Sequence, residues 1–305
     1  MSLKKLVQDL QRNSSQLKDI QSIEYSKIAS FYWFNLIQNK ENRLITDRTF
    51  TGFDVQPATA LAKATSEYIE RQSFSNGHKM GLKSCSTKRS DGFAAYPKLG
   101  LCDRTSQVKA RENALNEAIE RYAWATWWDD LNISFEYSEF SLEGFEAAYP
   151  VHGKIISEIS SQKNIVKIHI IRPEFHNYDE HSLCIIVAEF YDGIVTGGAC
   201  GKLEDQTNIM TRALSELLRH ALVLIQNKEK PDHLSLYEER LLYFGSPVGK
   251  QSFFERLTHV GSKKVVFPKL CIDEKIPAIE SHSVHRCLFK DQPPFIGGAI
   301  ERMCL

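Results

Sequence analysis

Ala114-Leu115-Asn116-Glu117-Ala118-Ile119-Glu120-Arg121 repeats in register the pattern of Ala64-Thr65-Ser66-Glu67-Tyr68-Ile69-Glu70-Arg71. With average residue usage, a Glu-x-x-Glu-Arg five-mer turns up in only about one chain in twenty of this length, and here it occurs twice. A third echo, Arg212-Ala213-Leu214-Ser215-Glu216, again sets Ala three residues before Glu. On a helix the pairs i,i+3 and i,i+4 describe an ordinary solvated face, worth a few tenths of a kcal/mol each. The wheel also sets these charges opposite Leu115, Ile119 and Tyr122. Ala299-Ile300-Glu301-Arg302 shows how cheaply part of the pattern arises, with Gly298 where the first Glu would stand. Two copies in register plus the echo favour a chemical role. Clustered oxygen ligands beside arginines suit a nucleotide held through Mg²⁺.

Gly52 and Pro57 punctuate the entry to a helix over about 57–73, which carries the first box. Thr105 or Ser106 caps a second helix running to about Trp128 with the second box, and a third spans about 205–226 with the echo. Ile165 to Ile171 and Leu183 to Tyr191 are β-branched runs of strand length, paired in a sheet. Gly193, Gly197, Gly198 and Gly201 are expected to turn the chain before the third helix. Residues 3–40 read as helical, with leucine and isoleucine at mixed spacing and aromatics at 31–34. Residues 73–101 read as loops with at most short strands, and strands are expected near Val265 and over 281–289. Without a linker-like stretch, the expected fold is one α+β domain over 1–305: a helical extension to 50, a core over 50–226 and a C-terminal part from 227.

The 305 residues carry 38 basic and 38 acidic side chains, so no broad field attracts nucleic acid or an anionic membrane surface. The N-terminus lacks the apolar core of a signal peptide, and the longest apolar run, near Cys184 to Ala188, is too short to span a bilayer. Seven cysteines without a Cys-x-x-Cys pattern point to reduced thiols and a cytoplasmic protein. Cys271, Cys287 and Cys304 are almost evenly spaced in a way no metal requires, and read as packing residues.

Other motifs carry less. Gly245-x-x-x-Gly249-Lys250 is one residue short of a phosphate loop, has Gln251 in place of Ser or Thr, and follows a helix rather than a strand. His282-x-x-His285 lies in an expected strand, where i,i+3 side chains point to opposite faces. Lys83, Lys88 and Arg89 read as a solvated loop, and Trp127-Trp128 as packing at a helix end. No Ser/His/Asp or Cys/His nucleophile constellation stands out.

Taken in order, Ser90-Asp91-Gly92-Phe93-Ala94-Ala95, Ala110, the Glu117-x-x-Glu120-Arg121 box and Trp127-Trp128 resemble the YcaO family. The 58–71 helix resembles that family's first acidic box, and Arg212-x-x-x-Glu216 its RxxxE motif, so the resemblance spans about 50–226. Departures are Lys63 in place of Ser, Asp91 in place of Asn, Arg219 where Gln is common, and a tail without a Pro-x-Pro-x-Pro ending. The resemblance implies ATP bound through Mg²⁺ without a phosphate loop. Carried over residue by residue, Glu67, Glu70, Glu117, Glu120 and Glu216 would hold Mg²⁺ and line one cavity, Arg71, Arg121 and Arg212 would meet phosphate oxygens, and Ser90 and Asp91 would line the nucleotide. The implied activity is ATP-dependent activation of a peptide backbone amide, giving thiazolines or oxazolines; a thioamide-forming enzyme and a non-catalytic partner are the alternatives. The implied partners are a precursor peptide, a leader-binding protein and a second copy of the chain in a homodimer.

Overall fold

The computed structural model describes residues 17, 19–28, 31–38, 49–85, 91–98, 103–226, 236–277, 281–293 and 299–303. Its strands are β1 (Ile20–Ile28), β2 (Phe31–Gln38), β3 (Thr49–Asp54), β4 (Phe93–Pro97), β5 (Phe135–Phe140), β6 (Ile165–Pro173), β7 (Phe175–His176), β8 (His181–Phe190), β9 (Ile194–Lys202), β10 (Val265–Val266), β11 (Leu270–Ile276) and β12 (His282–Phe289). The α-helices are α1 (Pro57–Lys79), α2 (Asp103–Asp129), α3 (Leu142–Ala148), α4 (Pro150–Gln162), α5 (Gln206–Gln226), α6 (Leu236–Phe244) and α7 (Pro247–Leu257). The α+β expectation holds. None of the described helices is long and apolar enough to cross a membrane. The chain divides into two compact units, Met1–Leu115 with Cys271–Leu288, and Asn116–Leu270 with Phe289–Leu305.

In the first unit β1, β2 and β3 form an antiparallel meander, and α1 packs on it. The helical reading of 3–40 is corrected over 20–28 and 31–38, which are strands; residues 1–16, 18, 29, 30, 39 and 40 lie outside the described residues. Phe31-Tyr32-Trp33-Phe34 is a run of strand-favouring aromatics, and every second residue or so of β2 is buried, which outweighs the helix-forming leucines around it. Gly52 is where strand and helix meet: a Cβ there would run into the Ala60 carbonyl and the Ala64 nitrogen. Ala60, Leu61, Ala64, Tyr68 and Ile69 thereby join Phe34, Leu36 and Phe50 in one core. Helix α1 runs six residues past the expected end at 73, because buried Ser73, Ser75 and Gly77 still face protein. A second sheet, in the order β11-β12-β4, completes the unit.

In the second unit β5, β6, β8 and β9 form an antiparallel sheet with β9 last in the order. The expected pairing of the two β-branched runs is that of β6 with β8. The glycines are corrected: Gly197, Gly198 and Gly201 lie inside β9 and do not turn the chain. Their missing side chains admit helices instead. A Cβ on Gly197 would strike the Ala213 carbonyl and Leu217 nitrogen of α5, and one on Gly198 would strike the Trp124 ring of α2. Successive residues of a strand face opposite sides, so β9 is clasped between two helices. Arg256 of α7, buried, closes the α2 C-terminus by donating to the Trp127 carbonyl at 2.5 and 2.8 Å and to the Asp130 carbonyl at 3.3 Å. The phosphate-loop lookalike is a helix start: Ser246 accepts from the Gly249 nitrogen at 3.4 Å, while Lys250 pairs with Glu189 at 2.8 Å.

In each unit three antiparallel neighbours, β1-β2-β3 in the first and β6-β8-β9 in the second, are followed by a helix seated on the last strand through a glycine. Matching Gly52 to Gly197 matches Ala60 to Ala213 and Ala64 to Leu217. The sequence echo pairs Ala64 with Ala213 instead, so it runs one helical turn out of step with the backbone equivalence.

Candidate functional site

Helix α2 crosses β9 with Trp124 over Gly198 and Glu120 over Cys200. Four helical residues rise about 6 Å and two strand residues about 6.6 Å, so helix and strand keep step over this stretch. Glu120 therefore reaches the strand's backbone: its Oε2 accepts the Cys200 N–H at 3.0 Å. From α5, Arg212 Nη1 donates to the Cys200 carbonyl at 3.0 Å. Cys200 sits opposite Leu183 across the ladder, and side chains thus satisfy the two peptide groups that face away from β8.

Around this anchor the charges alternate. Glu117 pairs with Arg121 one turn on along α2, and Glu216 pairs with Arg219 at 2.8 Å along α5. Burial first, then the Glu216 carboxylate and last Glu117, push the Glu120 carboxyl up to about 8 against the opposing pull of Arg212 and Arg121. The same burial, with Glu120 nearby, holds the Cys200 thiol well above its usual range. Behind Glu216 stands His220, fully buried. Its Nδ1 donates to the Thr196 carbonyl at 2.6 Å, which leaves Nε2 to accept from Arg219 at 3.2 Å. Burial first and the Arg219 charge second push this imidazole down to about 4.

Five of the residues singled out from the sequence, Glu117, Glu120, Arg121, Arg212 and Glu216, are thus gathered in the second unit. Glu67, Glu70 and Arg71 lie half-buried on α1 in the first unit. There Glu67 Oε2 accepts the Thr51 N–H at 2.8 Å, again tying a box glutamate to the backbone of the strand beneath. Lys63, the departure at the head of that box, pairs with Asp54 at 2.7 Å. Asp91 is buried in the turn before β4; Ser90 lies outside the described residues. Sequence reading missed Cys200, Thr196 and His220. The first two act through backbone groups, which leave no mark in the residue letters.

A hard cation takes oxygen ligands, and Glu117, Glu120 and Glu216 offer only oxygens, with the Glu216 carboxylate raising the proton affinity of Glu120. Such a cation relieves that repulsion, so the donor set fits Mg²⁺, while the arginines beside it are fork-shaped donors suited to phosphate oxygens.

The fold is that of YcaO from Methanopyrus kandleri. A solved structure of that protein, bound with AMPPCP and Mg²⁺, matches with a TM-score of 0.57 at 12% identity, covering 97% of this chain and 92% of that one. At this identity the likeness concerns the fold. No family model matches the chain, and no curated protein matches it by sequence.

Proposed function

We propose that this YcaO-fold chain binds ATP with Mg²⁺ and uses it to activate a backbone amide of a ribosomally made peptide. The observation that carries the reading is the gathering of Glu117, Glu120, Arg121, Arg212 and Glu216 about the Cys200 backbone. The neighbour bound with AMPPCP and Mg²⁺ supports the choice of ligand. The three carboxylates hold the metal, and Arg121 and Arg212 meet phosphate oxygens as charge-assisted donors. The sequence resemblance gives Glu67 and Glu70 the same metal-binding role, Arg71 the same phosphate role, and Ser90 and Asp91 the nucleotide.

ATP supplies the phosphoryl group that turns an amide oxygen into a leaving group. A nucleophile adds to the amide carbon, the oxygen departs as phosphate, and ADP remains. With a Cys, Ser or Thr side chain of the peptide as nucleophile the product is a thiazoline or oxazoline, which is the reading we adopt; an external sulfide would give a thioamide. What the residues contribute is orientation and fixed charge, since Cys200 holds Glu120 and Arg212 before any ligand arrives. The chain works on its precursor peptide as a homodimer with a leader-binding partner.

The Glu117–Arg121 and Glu216–Arg219 pairs favour one other reading, a non-catalytic scaffold whose charges neutralise one another. Titration calorimetry with AMPPCP, with and without Mg²⁺, separates the two. Binding that requires Mg²⁺ is expected; its absence at millimolar nucleotide would leave the scaffold.

A further inference from the structure

Away from the acidic boxes, the first unit holds a second cluster of donor atoms. His285 and Cys287 are two apart on β12 and so share a face, and Asp273 lies on β11, the neighbouring strand. His285 Nε2 is 2.7 Å from Asp273 Oδ1, and Cys287 Sγ is 3.7 Å from the same oxygen. One ligand atom from each residue lies within 4.8 Å of the other two. His282, the other histidine of the strand, is not part of the cluster; it is buried opposite Pro97.

We propose that Asp273, His285 and Cys287 form a binding site for a divalent transition metal, with Zn²⁺ the ion of best fit. Ligands of a tetrahedral zinc stand about 2.0–2.3 Å from the metal, hence roughly 3.3–3.8 Å from one another, and the observed spacings need only small side-chain rotations to match. One sulfur, one imidazole nitrogen and one carboxylate oxygen form a borderline-soft set that selects Zn²⁺ over Mg²⁺. Three protein ligands leave the fourth position to water.

The surroundings already hold the ligands in place. Arg111 donates from Nη2 to Asp273 Oδ2 at 2.6 Å and from Nε to Oδ1 at 2.9 Å, fixing the carboxylate as outer partners of metal ligands do. That guanidinium, and His285 after it, keep the Asp273 carboxyl down at about 2. Burial first and Asp273 second push the Cys287 thiol up to about 12, and metal binding would release that proton to solvent. Asp273 is exposed while Cys287 is buried, which gives an ion a route in from the solvent side. The site would staple β11 to β12.

Cobalt(II) titration of the full-length protein, freed of metal by dialysis against chelator, tests the assignment. One equivalent should give a thiolate-to-cobalt charge-transfer band, displaced by Zn²⁺ and unaffected by excess Mg²⁺. Cys287→Ala should abolish the band, and His285→Gln and Asp273→Asn should each weaken Zn²⁺ binding at least about tenfold in competition with a chromophoric chelator. No band in the wild type, or the same band in Cys287→Ala, would overturn the proposal and leave an ordinary hydrogen-bonded cluster. The wild-type titration requires no variant to fold, and the thiolate band distinguishes this site from any all-oxygen site in the acidic boxes.

Discussion

Glu67 accepts the backbone N–H of Thr51 at 2.8 Å, so the first glutamate of its box is fastened to the strand on which its helix lies. Glu120 does the same with Cys200 in the second unit. In each case one carboxylate oxygen is spent on the fold and the other is carried at a fixed position.

Glutamine keeps an acceptor oxygen for the peptide N–H but removes the charge. On the proposed reading, Glu67→Gln and Glu120→Gln each lower Mg²⁺-dependent AMPPCP affinity at least tenfold, about 1.4 kcal/mol, while the free energy of unfolding in urea stays within about 0.5 kcal/mol of wild type. Calorimetry beside equilibrium unfolding reads both quantities. Unchanged affinity in both variants would return the boxes to surface pairing.

Arg212→Ala should leave the fold in place, because Arg212 is exposed, yet lower ATP turnover by roughly a hundredfold or more. Lysine should not restore it, since one ammonium cannot keep the Cys200 carbonyl and also meet phosphate as a planar fork. Phosphate release with cognate peptide is the assay, and full rescue by lysine would contradict the role.

Gly52→Ala and Gly197→Ala should each destabilise by about 1–3 kcal/mol or more, since the new methyl meets helix backbone rather than a movable side chain. Denaturant midpoints measure the effect. A neutral substitution at either position would mean the helix does not seat on the strand there.

Arg256→Lys should cost about 2 kcal/mol or more, because buried Arg256 spreads donors over the carbonyls of Trp127, Asp130 and His259 and stacks 4.7 Å from the Trp127 ring. Lysine has neither the fork nor the plane. Thermal unfolding compared with an exposed control such as Lys264→Ala checks it.

Acid should destabilise the protein partly through His282, whose imidazole is held down at about 4 by burial and, less, by Lys98. Unfolded, it titrates near pH 6.5. As pH falls from about 6.5 to 4 the unfolded chain takes up a proton that the native one refuses, and stability drops by up to about 1.4 kcal/mol per pH unit. His282→Gln should flatten the melting temperature against pH across that window relative to wild type, and parallel curves would refute the assignment.

The box helices were legible because alanine, glutamate and arginine favour helix and the pattern repeats, and α1, α2 and α5 lie close to where the sequence put them. Strands β1 and β2 were not, because leucines and isoleucines at mixed spacing beside an aromatic run fit both periods, and packing decides between them. The β9 glycines were visible but misread: turn and close approach call for the same residue, and only the partner helix tells them apart. Of the candidate site, the charged residues were legible by repetition. The Cys200 peptide that ties Glu120 to Arg212 was not, since any residue but proline supplies an N–H. Likewise Cys287 looked like packing until the fold set it beside Asp273 and His285.

A last strand with free peptide groups is a template on which a foreign strand can grow, and sheet proteins commonly blunt such edges with charged side chains. Glu120 and Arg212 stand in that position on β9, each holding one of the Cys200 groups that a neighbouring molecule would otherwise recruit. Truncating either to alanine therefore unsheathes an edge rich in valine, threonine and glycine. Such variants should therefore gain a tendency to self-associate beside their loss of turnover, and turnover is read on the fraction that elutes as the wild type does.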